Sequence, residues 1–235
     1  MNILAFDSTA KTASVALVRD GRTVAEFFVD SGKTHSEILL PMAEDVLARA
    51  HMTLDEIDYY AVTVGPGSFT GVRIGTATVK GLAFSLSERE NCVPVSTLEA
   101  IAEGLMPLDG IYAPVMDARR NEVYNALFRM ENGTLIRLTP DRAISLAALG
   151  EELKTLYPNE TVRFAGDGYD VAMAALAPML PTAATPVALR FQRAAAVARC
   201  AERALSRGEA VPPSCISPTY LRLPQAERDR LAKQN

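Results

Sequence analysis

The chain has 235 residues, 49% hydrophobic and 22% charged, with a formal net charge of −4, which suits one or two ordinary globular domains with a sizeable core. Its cysteines, Cys92, Cys200 and Cys215, are far apart and form no CxxC pair, so neither a disulfide framework nor a zinc site is expected. The acidic balance argues against the chain as a whole gripping a nucleic-acid backbone, while leaving room for a local basic patch.

The chain starts "MNILAFDSTAKTASVAL", with no basic n-region and with Asp7 breaking the apolar run, so it does not read as a signal peptide. No apolar stretch approaches the ~20 residues that span a bilayer, and a cytoplasmic location is the expectation. "NILAFDS" (2–8), "ASVALV" (13–18) and "RTVAEFFV" (22–29) read as strands, with Asp20-Gly21 as a hairpin turn. Strands this close in sequence must be antiparallel, because a parallel crossover needs about a dozen residues or more. A helix is expected over 34–51, with Ile38, Leu39, Met42, Val46 and Leu47 at helical spacing. Thr34 and Glu37 form a capping-box pattern, and Pro41 is expected to kink the helix or to sit near its first turn. A buried strand (59–64), a glycine turn, a helix from Val72 to Leu86, a short strand (93–96) and a helix (97–105) follow. The order β-β-β-α-β-α-β-α indicates a mixed sheet of ribonuclease-H-like type rather than a doubly wound nucleotide fold.

After "MPLDG" (106–110) the pattern restarts. Strands at 111–117, 122–130 and 134–138 resemble a second meander, followed by a helix (145–157), a strand (161–165), a short helix (169–177) and a helix (190–208) ending at Gly208. Both meanders open on a strand ending in Asp (Asp7, Asp117), so the expected fold is α/β with duplicated ribonuclease-H-like domains and helices on both faces of mixed sheets. The expected boundaries are 1–106 and 107–235, the smaller second domain lending helix 190–208 to the first.

"GPGSFTGVRIGTATVKGLAF" (65–84) holds five glycines, and a glycine turn opening a helix often cradles phosphate. It fails as a P-loop, because Thr70 and Val72 stand where the second glycine of GxxxxGK[ST] would be. It also misses the dinucleotide fingerprint, since Gly71 comes one place too late. Glycines inside a helix each cost about 0.8–1.0 kcal/mol relative to Ala. They leave a surface that admits another backbone, either of this chain's own sheet and first helix or of a second subunit. The first helix is apolar over a wider arc than one core-facing stripe requires. The expected partner surface therefore comprises Ile38, Leu39, Met42, Ala43, Val46 and Leu47 with Gly71, Gly75, Thr78 and Leu82.

Four stretches, "ILAFDSTAKTASVAL", "GPGSFTGVRIG…KGLA", "VSTLEAIAEG" and "DARRNEVYNALF", together resemble the TsaB (YeaZ) family over nearly the whole chain. The resemblance implies the duplicated actin/sugar-kinase/Hsp70-like fold and a part in forming threonylcarbamoyladenosine at position 37 of tRNA. It implies a non-catalytic subunit that dimerises with the catalytic paralogue TsaD, works with the ATPase TsaE, meets tRNA through the complex and pairs with itself when TsaD is absent. TsaD-type proteins carry a metal-binding HxEGH after the glycine helix. Here Thr97 and Ile101 take the two histidine positions and Glu99 remains, so no metal is expected; neither residue can replace an imidazole ligand. His35 and His51 lie at the two ends of one expected helix, too far apart for an HExxH pair. The phosphate motifs are eroded too: the glycine expected after Asp7 and after Asp117 is missing. Asp7, Gly65, Gly67, Ser68, Asp117, Gly166 and Gly168 are left as a vestigial nucleotide site, giving no cofactor and at most weak ATP or ADP binding. A phosphotransferase of the same fold, using Asp7, and a peptidase are the competing readings. The peptidase would need GxSxG, and Ser68 lacks the second glycine.

Overall fold

β1 (Asn2–Asp7), β2 (Ala13–Arg19) and β3 (Arg22–Val29) form the antiparallel meander read from the sequence. Asp20 and Gly21 both have positive φ, 49° and 75°, as a two-residue type I′ turn requires. The structure is a computed structural model that describes residues 1–84 and 89–222. The expected end of the second helix at 85 and 86, and the tail beyond 222, lie outside the described residues. After the meander come α1 (His35–Arg49), β4 (Tyr59–Thr63), α2 (Phe69–Phe84), β5 (Cys92–Val95) and α3 (Thr97–Gly104). β4 and β5 join in parallel, giving the sheet order β3-β2-β1-β4-β5.

β6 (Ile111–Asp117), β7 (Glu122–Asn125), β8 (Phe128–Glu131), β9 (Thr134–Arg137), β10 (Arg142–Ser145), α4 (Leu146–Leu156), β11 (Val162–Ala165) and α5 (Tyr169–Leu176) repeat the scheme. β7 and β8 both pair antiparallel with β6, β11 pairs with it in parallel, and β9 and β10 extend the outer edge. The expected single strand 122–130 is broken because Asn125, fully buried, donates through Nδ2 to the carbonyls of Pro114 and Ala126. β10 has no counterpart in the sequence reading. α6 (Ala194–Ser206) closes the fold.

Because successive strand residues point to opposite faces, the first sheet carries two different cores. Leu4, Phe6, Val15, Leu17, Tyr60 and Val62 pack toward α1 and α2. Ile3, Ala5, Ala16, Val18, Ala61 and Val93 meet the small-residue face of α6: Ala194, Val197, Ala198, Ala201 and Ala204. The second sheet packs Ile111, Ala113, Val115 and Phe164 against α4 and α5. A fourth cluster joins Leu98, Ile101 and Leu105 of α3 and its C-terminal end to Tyr112, Met116 and Phe128 of the second sheet.

Three local expectations are corrected. The Thr34–Glu37 capping box does not form: the Thr34 hydroxyl meets Ser36 Oγ at 3.3 Å, and the Glu37 N–H bonds to the Thr34 carbonyl instead. α2 begins three residues early, because Ser68 Oγ caps it by accepting from the Gly71 N–H at 3.2 Å. α6 begins at Ala194 rather than 190, since Arg193 is extended. Pro41 lies inside α1, in its second turn.

Candidate functional site

Where β1 ends, the chain turns through Ser8 and Thr9 directly beneath the glycine turn. Ser68 N–H donates to the Thr9 carbonyl at 2.7 Å and Ser8 Oγ to the Gly71 carbonyl at 2.9 Å. A β-carbon on Gly71 would collide with the Ser8 carbonyl oxygen, and one on Gly75 would lie 2.6 Å from Ser8 Oγ. These two glycines exist so that β1 can pass beneath α2. The sheet side of the helix start is filled by the chain's own turn, and the N–H donors of Ser68 and Gly71 are already used, whereas Phe69 and Thr70 line an open cleft.

Asp7 is fully buried. It accepts from Thr63 Oγ1 at 2.6 Å, Thr9 Oγ1 at 2.8 Å and the Thr9 N–H, while Gln192 Nε2 donates to Thr9 Oγ1. Burial pushes its carboxyl up to about 6 against the pull of these hydrogen bonds. An enclosed carboxyl of this kind cannot reach a substrate or metal without rearrangement.

Between the two sheets lies an open cleft of about 990 Å³. Its walls include Lys11, Lys33, His35, Gly67, Ser68, Asp117, Arg119, Arg120, Asp167, Tyr220 and Arg222. Of the residues singled out as a vestigial nucleotide site, Gly67, Ser68 and Asp117 line this cleft; Asp7, Gly65, Gly166 and Gly168 do not. Gly65 sits against the Thr219 carbonyl, and Gly166 and Gly168 against that of Val115, so all three serve backbone packing. Asp117 accepts from the backbone N–H of Arg119 at 2.7 Å, and its own N–H donates to Asp167 Oδ1 at 2.9 Å. Asp167, which the sequence reading passed over between its two flagged glycines, is raised to about 6, mainly by burial. A nucleotide's phosphates would meet these two carboxylates at the cleft wall, with two of the N–H donors beside the helix start already used, so the residues present fit a nucleotide poorly.

The metal positions implied by the resemblance fit no better. Thr97 is fully buried with its hydroxyl unpartnered, and Ile101 is packed in the core beneath the second sheet. Glu99 bridges Arg137 at 3.1 Å and Arg203 at 3.4 Å. No group of three metal-ligating side chains occurs among the described residues. His35 and His51 stand at opposite ends of α1.

The residues expected to meet a partner divide sharply. Leu39, Met42, Ala43, Val46 and Leu47 are buried in the chain's own core, and Gly71 and Gly75 are buried against Ser8. Ile38, Thr78 and Leu82 are half-buried at its margin. The face that α1 and α2 present to solvent is carried instead by Leu40, 44% exposed, and by Arg73, Ala77, Gly81 and Phe84, the last 66% exposed. A β-carbon on Gly81 would meet no described atom, so nothing in the described fold requires glycine there.

The C-terminal segment returns across this region. Ile216 is fully buried in the first core, the Thr219 N–H donates to the Val64 carbonyl, Tyr220 stacks on Phe69 at 4.8 Å, and Arg222 pairs with Glu122 at 2.6 Å.

Comparison with known proteins adds three findings. Residues 29–228 match the family described as "TsaD: tRNA N6-adenosine threonylcarbamoyltransferase". The chain is 38% identical over 154 residues to the tRNA threonylcarbamoyladenosine biosynthesis protein TsaB of Bacillus subtilis, covering 66% of each chain. It is 41% identical over 136 residues to TsaB of Escherichia coli, covering 57% of this chain and 58% of that one. The matches thus span about two thirds or less of these relatives' length. The solved structure of YeaZ from Pseudomonas aeruginosa superposes with a TM-score of 0.78 at 28% identity, covering 94% of this chain and 99% of that one. The architecture is therefore that of the YeaZ structure, an α/β fold of two mixed sheets with helices. No helix among the described residues is long and apolar enough to cross a membrane.

Proposed function

Because the chain belongs to the TsaD family of tRNA threonylcarbamoyladenosine biosynthesis, and within it is of the TsaB (YeaZ) type, we propose that it is a non-catalytic subunit binding the TsaD enzyme. In this reading TsaE is a further member of the assembly, tRNA is met through the complex, nucleotide binding is at most weak, and the chain pairs with itself when TsaD is absent. The observation that carries the reading is that the carboxyl closing β1, the glycines of α2 and the positions of the family's metal motif are consumed by packing. Ser8 packs against Gly71 and Gly75 of α2, Asp7 is sealed beneath threonine hydroxyls, and Glu99 is held by two arginines with Thr97 and Ile101 beside it.

The exposed face of α1 and α2 supports the binding half of the reading. A glycine in an exposed helix interior is destabilising by about 0.8–1.0 kcal/mol relative to Ala, and Gly81 has no offsetting contact with the described chain. Close approach by another helix would supply the reason, and the exposed Phe84 ring next to it supplies apolar area. The test is co-purification with TsaD followed by a tRNA modification assay with and without this chain. Failure to capture TsaD, or full modification in its absence, would sink the proposal. Robust ATP turnover by the pure chain would favour the phosphotransferase reading, and peptide cleavage the peptidase reading.

A further inference from the structure

The cleft has an electrostatic pattern that the docking role leaves unused. Among the described residues, Lys33, Arg119 and Arg120 line it, are exposed and make no ion pair, whereas Lys11 and Arg222 are matched by Asp30 and Glu122. Arg119, Arg120 and Asn121 all adopt left-handed conformations, with φ of 62°, 58° and 58°. Three such residues in a row are unfavourable for side chains with a β-carbon. The turn is nevertheless tied down. Asp117 Oδ1 accepts from the Arg119 N–H, Glu122 N–H donates to the Arg119 carbonyl at 3.2 Å, and Leu146 N–H donates to that of Asn121 at 3.0 Å. Two guanidinium groups are thereby presented from a fixed tip. On another wall of the cleft, Tyr220 stacks on Phe69, its hydroxyl accepts from Arg73 Nε at 2.8 Å, and 41% of its surface stays exposed.

Unpaired cations beside an exposed aromatic ring are the combination that holds single-stranded nucleic acid, cations taking phosphates and the ring stacking on a base. Asp117 and Asp167 also line the cleft, so the clustered phosphates of a free nucleotide suit it less well than phosphates spaced along a strand. We propose that this cleft binds a single-stranded RNA segment, with phosphates on Lys33, Arg119 and Arg120 and a base on Tyr220. The choice of RNA rests on the reading of the chain as a tRNA-modification subunit; the cations and the ring specify only a polyanion bearing bases. The site is local, so it is compatible with a net charge of −4.

The test is fluorescence anisotropy of the purified chain with a labelled, unstructured RNA of about 12 nucleotides, a length within known single-strand site sizes. Three phosphate contacts predict a slope of about −2 for log affinity against log salt, or roughly a 20-fold loss between 50 and 200 mM. The triple variant Lys33→Gln/Arg119→Gln/Arg120→Gln is expected to bind at least tenfold more weakly at 50 mM with a slope near zero. Tyr220→Ala is expected to lose about fivefold or more without changing the slope. If the loop substitutions lower the melting temperature, Lys33→Gln alone must still reduce the slope by about 0.7. No binding at 50 mM, unchanged binding by the triple variant, or displacement of the RNA by millimolar ATP would each overturn the proposal. Capture of TsaD is measured in parallel: capture without RNA binding refutes this inference alone, and absence of capture refutes the reading beneath it.

Discussion

The buried carboxyl of Asp7 yields the sharpest quantitative expectation. Its folded value of about 6 lies above its ordinary 3.8, so between these two values the native state holds more protons than the unfolded chain. Stability therefore falls as pH rises through that window and is level above it. A shift of this size corresponds in full to about 3 kcal/mol, of which about 2 kcal/mol is lost between pH 4.5 and 7. Asp7→Asn removes the titration while keeping the shape, and the hydroxyls of Thr63 and Thr9 can turn to accept from the new amide. Urea unfolding of both proteins across pH 4.5 to 7.5 isolates the effect, because the other titrating groups, Asp167 included, are common to both. The stability of the native chain minus that of the variant should drop by about 2 kcal/mol over this range, the drop being complete near pH 7. A difference that stays flat, or that rises with pH, would show that Asp7 ionises normally and is not the sealed group described above.

The glycines of α2 should separate by role: Gly71→Ala and Gly75→Ala should each cost about 1–3 kcal/mol by forcing a methyl group into Ser8, while Gly81→Ala should gain about 0.5–1 kcal/mol. Equal effects in thermal melts would contradict the packing described. At the partner face, Ala77→Glu and Phe84→Glu should leave the melting temperature nearly unchanged yet abolish both self-association and TsaD capture. Analytical ultracentrifugation that still finds dimers in both variants would place the interface elsewhere. Ser68→Ala and Glu99→Ala should fold, the latter losing about 1 kcal/mol with its two ion pairs. The pure chain, tested in ATPase and peptidase assays, should be inactive with or without these changes; robust turnover that one of them abolishes would refute the non-catalytic reading.

Much of the fold was legible because its signals are local. The Asp20-Gly21 turn, the tight spacing of the first three strands and the periodicity of α1 and α3 depend on few residues at short range. The site was legible only in outline. Periodicity reveals that α1 is apolar over a wide arc but not what covers each side, and here α2 of the same chain packs against it. Gly71 and Gly75 were recognised as places of close approach, but the atoms that approach belong to Ser8, more than sixty residues earlier in the chain. Asp167 carries no local mark beyond its glycine neighbours. Its meaning depends on Asp117 arriving from another strand.

The core that joins the two sheets bears on why such a chain would serve by docking. Leu98, Ile101, Leu105, Tyr112 and Phe128 are all buried where α3 meets the second sheet. Opening the cleft by swinging the sheets apart would bring these side chains toward water at about 1.5–3 kcal/mol each. Five of them together cost on the order of 10 kcal/mol, comparable to the whole stability of a typical domain, about 5–15 kcal/mol. The ion pair of Arg137 with Glu99, and the hydrogen bond from Ser96 Oγ to Asp141 at 2.6 Å, tie α3 to the β9–β10 region from the other side. An enzyme that closes over its substrate needs a cheap hinge, and separating α3 from the second sheet would be costly. A docking subunit gains from the opposite property: a face whose geometry is fixed before association loses less conformational entropy on binding, leaving more of the contact energy as affinity.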